Sequence, residues 1–418
     1  MLSAYAGRLL SQSLYFVVLV RVLFADGFGA FAGTLALVSI LAPFASWGSA
    51  NVLVMHVSRD RERFRVLFGN ALVTIAAGGS VLLVVSAGLF PVVRAAGASL
   101  RLLLLLGLAE FFAGRIVELS AAAFQAHEKL HATAFVITGD SAARLGAVVL
   151  FSASPLMHTA ERWAWWYAAA AMLWSGICIA AVVNRLGAPR LDRRLFRDSW
   201  RQGGAFSLGI ASKSAYSDID KVMLARLASA NAAGIYAAAY RVLTIALAPV
   251  QALVFSSNTR LFRRGAQSSL SVLAFVRQTA PIVAVYGIAV GIVLFLSGGL
   301  LPAVLGPSFA ESARVLRWLS LMPFVQGIHN LTGDALMGTG RQGLRSAVQL
   351  STVVINTILN IIMIPLWGWR GAAIASLVSE TLLASVLVFL LFRIANYDQT
   401  PLGALARGSA RPATAGVQ

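Results

Sequence analysis

Apolar residues run along this chain in long blocks, separated by short stretches of polar and basic residues. A helix needs roughly 20 apolar residues to cross a hydrocarbon core of about 30 Å. With that window the pattern predicts twelve spans, at 4–24, 30–55, 67–93, 102–126, 132–153, 163–185, 204–227, 232–257, 277–305, 314–338, 344–366 and 371–394. The blocks lack the alternation of barrel strands, and in lipid a helix satisfies its own backbone. The expected fold is therefore an all-α integral membrane protein. The first block follows a weakly basic start containing Arg8 and reads as an uncleaved helix rather than a signal peptide.

Composition strengthens this reading. Of 418 residues, 58% are hydrophobic and only 12% charged, with a mean hydropathy of +0.78, whereas a soluble domain carries roughly 25% charge. Soluble enzymes and nucleic-acid binders are excluded, despite a net charge of +18. The position of the charge explains its size. One set of loops holds 20 Arg or Lys, among them Arg59 to Arg65, Arg190 to Arg201 and Arg260 to Arg264, and the opposite set holds six. Basic loops stay in the cytoplasm, which places both termini inside. A single cysteine, Cys178, rules out an intrachain disulfide.

The chain divides into related halves. Phe28-Gly29-Ala30-Phe31-Ala32 after the first span matches Ala233-Gly234-Ile235-Tyr236-Ala237 after the seventh, at an offset of 205, which also sets Arg21 on Arg226. Pro43 and Pro249 agree to within one residue. Six helices per half is an even number, so the repeats are parallel. The expected organisation is a six-helix lobe over 1–185, a basic cytoplasmic linker over 186–203, a second six-helix lobe over 204–395, and a short disordered cytoplasmic tail over 396–418. Matched Pro or Gly interruptions in two halves point to a transporter's binding site.

Three passages carry a family resemblance. Tyr216-Ser217-Asp218-Ile219-Asp220-Lys221-Val222-Met223-Leu224, followed by Ala233-Gly234-Ile235-Tyr236-Ala237-Ala238-Ala239-Tyr240-Arg241, is the first. The second runs from Arg21 to Gly29, with Phe24 where the family pattern has glycine. The third joins Asn356 and Asn360 to Pro365, Gly368 and Gly371. Together they resemble the polysaccharide-exporter (O-antigen flippase) branch of the multidrug/oligosaccharidyl-lipid/polysaccharide flippase superfamily. The resemblance implies a V-shaped bundle of two lobes around a central cavity. It also implies a cargo: an undecaprenyl-pyrophosphate-linked oligosaccharide, an O-antigen, capsule or exopolysaccharide unit, carried across the bacterial inner membrane by alternating access without covalent chemistry. The implied partners are the lipid-linked oligosaccharide, membrane lipids and other polysaccharide-assembly membrane proteins. No cofactor and no nucleic acid is expected, and a proton or sodium ion is the candidate for coupling.

Charges inside a bilayer cost about 2.5–3.5 kcal/mol each on insertion scales. By the expected spans, eight cations and seven acids lie there, so the interior as a whole is nearly neutral. Helices one, two, seven and eight differ. They hold Arg21, Lys213, Lys221, Arg226 and Arg241 against Asp218 and Asp220, a net +3 suited to a pyrophosphate or an acidic sugar. Arg21, Lys213, Asp218, Asp220, Lys221 and Arg241 are therefore the candidate substrate-binding residues. Lys213, Ser217 and Asp220 share a helical face. Competing readings are interfacial snorkelling for Arg21 and Arg226 and a structural Asp218–Lys221 pair. Asp140 and Arg144, at i and i+4, form a candidate structural or coupling pair. Glu118 shares a face with Glu110 and Gly114, as a proton relay or an inter-helix hydrogen-bonding row.

Two features have plainer readings. His127-Glu128-Lys129-Leu130-His131 spells the zinc-protease pattern, but no third ligand is at hand, so no metal site is assigned. Trp163, Trp165, Trp166 and Tyr167 read as an aromatic belt at the headgroups. The rival functions are a cation or drug antiporter on the same fold, a lipid II flippase, and a membrane polysaccharide polymerase. The antiporter would need unpaired acids in its cavity. The polymerase would need a large outer loop, whereas the longest here are about ten residues.

Overall fold

The computed structural model describes residues 2–94, 96–155 and 157–397, and no strand occurs among them. The first part of the chain forms α1 (Leu2–Ser46), α2 (Ser49–Val57), α3 (Phe64–Val93), α4 (Leu100–Gly107), α5 (Arg115–Ala126), α6 (Leu130–Ala153), α7 (Ala160–Leu186) and α8 (Arg193–Leu227). It continues through α9 (Ala230–Gln267), α10 (Ser269–Ser297), α11 (Leu301–Leu305), α12 (Ser312–Leu319), α13 (Met322–Gly338), α14 (Gln342–Trp367) and α15 (Trp369–Tyr397). Among the described residues, eight stretches are long and apolar enough to cross a membrane. Large apolar side chains such as Val84, Ile292, Leu296 and Leu366 stand exposed along them, as lipid-facing residues do. The chain is an all-α, multi-pass membrane protein.

The eight stretches account for nine of the twelve expected spans, because the first two share α1. Spans four, seven and ten are helical but fall short for physical reasons. Span four carries Glu110, Arg115 and Glu118 and is interrupted by a π turn, Leu108–Gly114, between α4 and α5. Span seven lies in α8 with Lys213, Asp218, Asp220 and Lys221. Span ten is divided between α12 and α13.

The junction between the first two spans is a single residue. Phe24 has φ 55° and ψ 180° inside α1, a backbone region that is essentially glycine's. Here the helix is broken, and α1 is two helical segments joined at a kink. At the far end of α1, Trp47 (φ 46°) and Gly48 (φ 64°) turn the chain into α2.

Of the connection expected at 186–203, residues 187–192 are non-helical and α8 starts at Arg193. This strap is tied to α3. The Arg190 amide donates to the Arg65 carbonyl at 2.8 Å, and the Asn70 side chain donates to the Asp192 carbonyl at 2.8 Å. The tail expected from 396 lies outside the described residues from 398 onward.

By its contacts the chain divides into two units. The first holds the chain up to Ala238 with Leu301–Glu311 and Trp367–Trp369. The second holds Ala239–Leu300, Ser312–Leu366 and the described residues from Arg370. In the first unit a core of Leu53, Phe64, Phe68, Ile75, Phe124 and Val182 joins α2, α3, α5 and α7, and Cys178 is buried within it.

Candidate functional site

The first unit holds a charged, open cavity of about 410 Å³, lined by Arg8, Asn51, Glu110, Arg115, Glu118, Asp140, Ser141 and Arg144 among others. Arg144 of α6 organises it. Its guanidinium lies 3.1 Å from Asp140 and 3.4 Å from Glu110, and it hydrogen-bonds the Tyr167 hydroxyl. That hydroxyl donates to Glu110 at 2.5 Å, and Arg144 stands 4.6 Å above the Tyr167 ring. The Asp140–Arg144 pair expected from its i,i+4 spacing is thus one edge of a four-residue network on three helical segments.

Glu110, Gly114 and Glu118 line this cavity together, and Glu118 pairs at 2.6 Å with Arg115, its i,i+3 neighbour within α5. One expectation changes here. Trp163 and Tyr167 do not belong to an aromatic belt. They are fully buried on the inner face of α7, while Trp165 points outward and is exposed. Sequence reasoning missed Tyr167 as a network member; its i,i+4 spacing from Trp163 was the available signal.

The α8 row grades from open to closed. Lys213 is exposed, Ser217 half-buried and Asp220 buried. Asp220 accepts the Lys221 amide at 2.8 Å and a hydrogen bond from Tyr236 of α9. Asp218 and Lys221 pair at 2.5 Å, and the same ammonium donates to the Ser217 carbonyl at 2.8 Å. Lys213 makes no ion pair among the described residues.

The repeat-matched arginines do matched work. Arg21 donates to the carbonyls of Val304 and Ala303 at 2.7 and 2.9 Å, at the end of α11. Arg226, its counterpart 205 residues on, donates to the Val92 carbonyl at 3.2 Å, at the end of α3. Between them α1 and α9 touch backbone to backbone. A methyl on Gly29 would meet the Ala230 carbonyl, and one on Gly234 would meet the Ala25 carbonyl. Asn231 donates to Asp26 at 3.2 Å, another pair at the same offset. All of these groups belong to the first unit.

In the second unit Arg241 is half-buried and has an interaction partner. Glu380 and His329 are both buried, with Nδ1 2.8 Å from Oε2, and Gln326 donates to the other carboxylate oxygen at 2.8 Å. Asp334 pairs with Arg345 at 2.8 Å. Buried Asn360 donates to Asn356 at 2.9 Å, and Asn356 to Ser379 at 3.3 Å. The two asparagines belong to the passage that carried part of the resemblance.

The zinc-protease pattern is divided by a turn. His127 follows the end of α5, where it bonds the Ala123 carbonyl at 2.8 Å, Glu128 has φ 59°, and His131 lies in α6. The two histidines therefore do not share one helix. Among the described residues no group of three or more His, Cys, Asp or Glu could hold a metal ion.

Comparison with known proteins agrees with this architecture. The family described as "Polysaccharide biosynthesis protein" matches residues 1–260, more than half of the chain. A Haloferax volcanii protein named "Probable low-salt glycan biosynthesis flippase Agl15" is 27% identical over 167 residues, 39% of this chain and 35% of its own length. The chain thus spans about a third of the length of that curated relative. Two solved structures share the fold. An inward-facing multidrug-resistance MATE family transporter of the MOP superfamily superposes with TM-score 0.75 at 14% identity, covering 93% of this chain and 96% of its own. The lipid II flippase MurJ, in an inward closed conformation, superposes with TM-score 0.74 at 11% identity, covering 99% and 94%.

Proposed function

The chain belongs to the polysaccharide biosynthesis protein family, and from that membership we propose that it is a flippase for a lipid-linked glycan. In this reading the cargo is an oligosaccharide on undecaprenyl pyrophosphate. The membrane is the bacterial inner membrane, both termini are cytoplasmic, and no covalent bond is made or broken. The relative's printed name supports glycan flipping, and its archaeal source makes the polyprenyl carrier the more general part of the proposal.

The observation that carries the reading is the set of cations left without a carboxylate. Among the described residues Arg21 and Arg226 are held by carbonyls alone, and Lys213 is exposed. Lys221 is neutralised by Asp218. The acids of the spans are all engaged: Glu110 by Tyr167 and Arg144, Glu118 by Arg115, Asp140 by Arg144, Asp220 by Tyr236, Asp334 by Arg345, and Glu380 by Gln326 and His329. Free positive charge with paired acids suits a diphosphate cargo and disfavours a cation antiporter, whose cavity would need the reverse.

The arginine caps suit alternating access as well. A side chain donating to a backbone carbonyl is worth on the order of 1 kcal/mol net, strong enough to close one end and weak enough to release it. For the coupling ion, the Glu380–His329 pair supports a proton over sodium, because the carboxylate faces an imidazole and an amide N–H donor rather than a set of oxygen ligands.

Mass spectrometry of lipid extracts tests the proposal. Cells lacking the protein accumulate a polyprenyl-pyrophosphate oligosaccharide. The wild-type chain clears it, and a correctly folded Lys213→Glu/Arg241→Glu chain does not. An unchanged lipid-linked pool together with altered sensitivity to cationic compounds would hand the assignment to the antiporter.

A further inference from the structure

The second unit contains a cavity of about 760 Å³ where the end of α9 meets the start of α10. Three of its lining residues are Arg260, Arg263 and Arg264, and Leu253, Phe275 and Ile282 line it beside them. The arginines sit at i, i+3 and i+4, on one face of α9, where like charges repel. No acid lies near them in the chain: the sequence contains no Asp or Glu from Lys221 to Ala310. Arg260 and Arg263 are exposed and make no ion pair among the described residues. The third guanidinium is held in place, 4.9 Å above the Phe275 ring. Ser271 donates to the Arg264 carbonyl at 2.6 Å, tying the helix end to α10.

Depth fixes the chemistry further. The apolar block of α9 ends near residue 257, so a rise of 1.5 Å per residue puts the arginines about 5–10 Å beyond the hydrocarbon. That is the depth of lipid headgroups. Basic-loop topology accounts for arginines at this end of the helix. It does not account for three of them lining one cavity together with apolar side chains.

We propose that this cavity seats the phosphate-bearing headgroup of a lipid. The guanidiniums take the phosphate oxygens, and Leu253, Phe275 and Ile282 cover the first carbons of the acyl or isoprenoid chain. The assignment is independent of what the protein transports.

Native mass spectrometry of the full chain in detergent tests it, with phosphatidylglycerol, phosphatidylcholine, a short polyprenyl pyrophosphate and inorganic pyrophosphate as probes. The wild-type protein retains phosphatidylglycerol over phosphatidylcholine. Arg260→Gln/Arg263→Gln weakens that retention about thirtyfold, since each basic group near a charged headgroup contributes on the order of 1 kcal/mol and two are removed. Arg260→Lys/Arg263→Lys retains most of it, and Arg59→Gln, which removes a basic loop charge outside the cavity, leaves it unchanged. Displacement of phosphatidylglycerol by stoichiometric polyprenyl pyrophosphate would identify a carrier lipid as the occupant, within the same assignment. Equal retention by the wild-type and double-glutamine chains would overturn the site, as would an equal loss in Arg59→Gln. Inorganic pyrophosphate binding as tightly as the lipids would reduce it to a free-anion site and overturn the lipid assignment.

Discussion

At the scale of single residues, the positions that break local rules mark the structure's working parts. Phe24 occupies glycine's backbone region with its ring largely exposed, at 62%, so little burial compensates the strain. Phe24→Gly should remove about 1–3 kcal/mol of strain and add back up to about 1 kcal/mol of chain entropy. The expected net is a small rise in unfolding temperature in detergent; a fall would show that the ring anchors the bend. Arg144 is the opposite case, a charge whose neighbours need it. Arg144→Gln leaves Glu110 and Asp140 without their cation, at a cost of about 3 kcal/mol. Adding Glu110→Gln and Asp140→Asn should recover a good part of that in the same thermal unfolding assay. No recovery would mean that Arg144 acts through its packing on Tyr167. The sequence showed the Asp140–Arg144 spacing plainly. Glu110 and Tyr167 stayed hidden because they lie 57 residues apart and meet only through folding.

Among the helices, the contact of α1 with α9 is set by two glycines. Small residues let helix backbones approach closely in membranes, and here both glycines face carbonyl oxygens, which cannot yield as a flexible side chain would. Gly29→Val or Gly234→Val should therefore cost about 1–3 kcal/mol, read as lost detergent stability. A chain that still folds should also show weaker caps at Arg21 and Arg226, detectable as faster hydrogen exchange at the ends of α3 and α11. If both variants match wild type in stability and exchange, the close approach is dispensable.

At the scale of the whole molecule, orientation and cargo are the properties to measure. A chain carrying Cys178→Ser and Arg61→Cys should react with a membrane-impermeant maleimide only after the cytoplasm is opened. Met157→Cys, at an exposed position of the opposite loops, should react in intact cells. The reverse pattern would invert the topology and place the arginine cavity of α9 and α10 on the outer face. The helical, membrane-embedded character, the positions of most spans and the repeat offset of 205 were all legible in the chain itself. They depend on hydrophobic block length, on loop charge and on local motifs, all of which are properties of consecutive residues. Tertiary structure alone decided which charges are neutralised, which arginines cap which helix ends, and that Trp163 and Tyr167 turn inward. It also decided that Arg260, Arg263 and Arg264 line a single cavity. Those outcomes rest on contacts between residues far apart in the chain, and in a medium where an unpaired charge costs several kcal/mol, the choice of partner is made by packing.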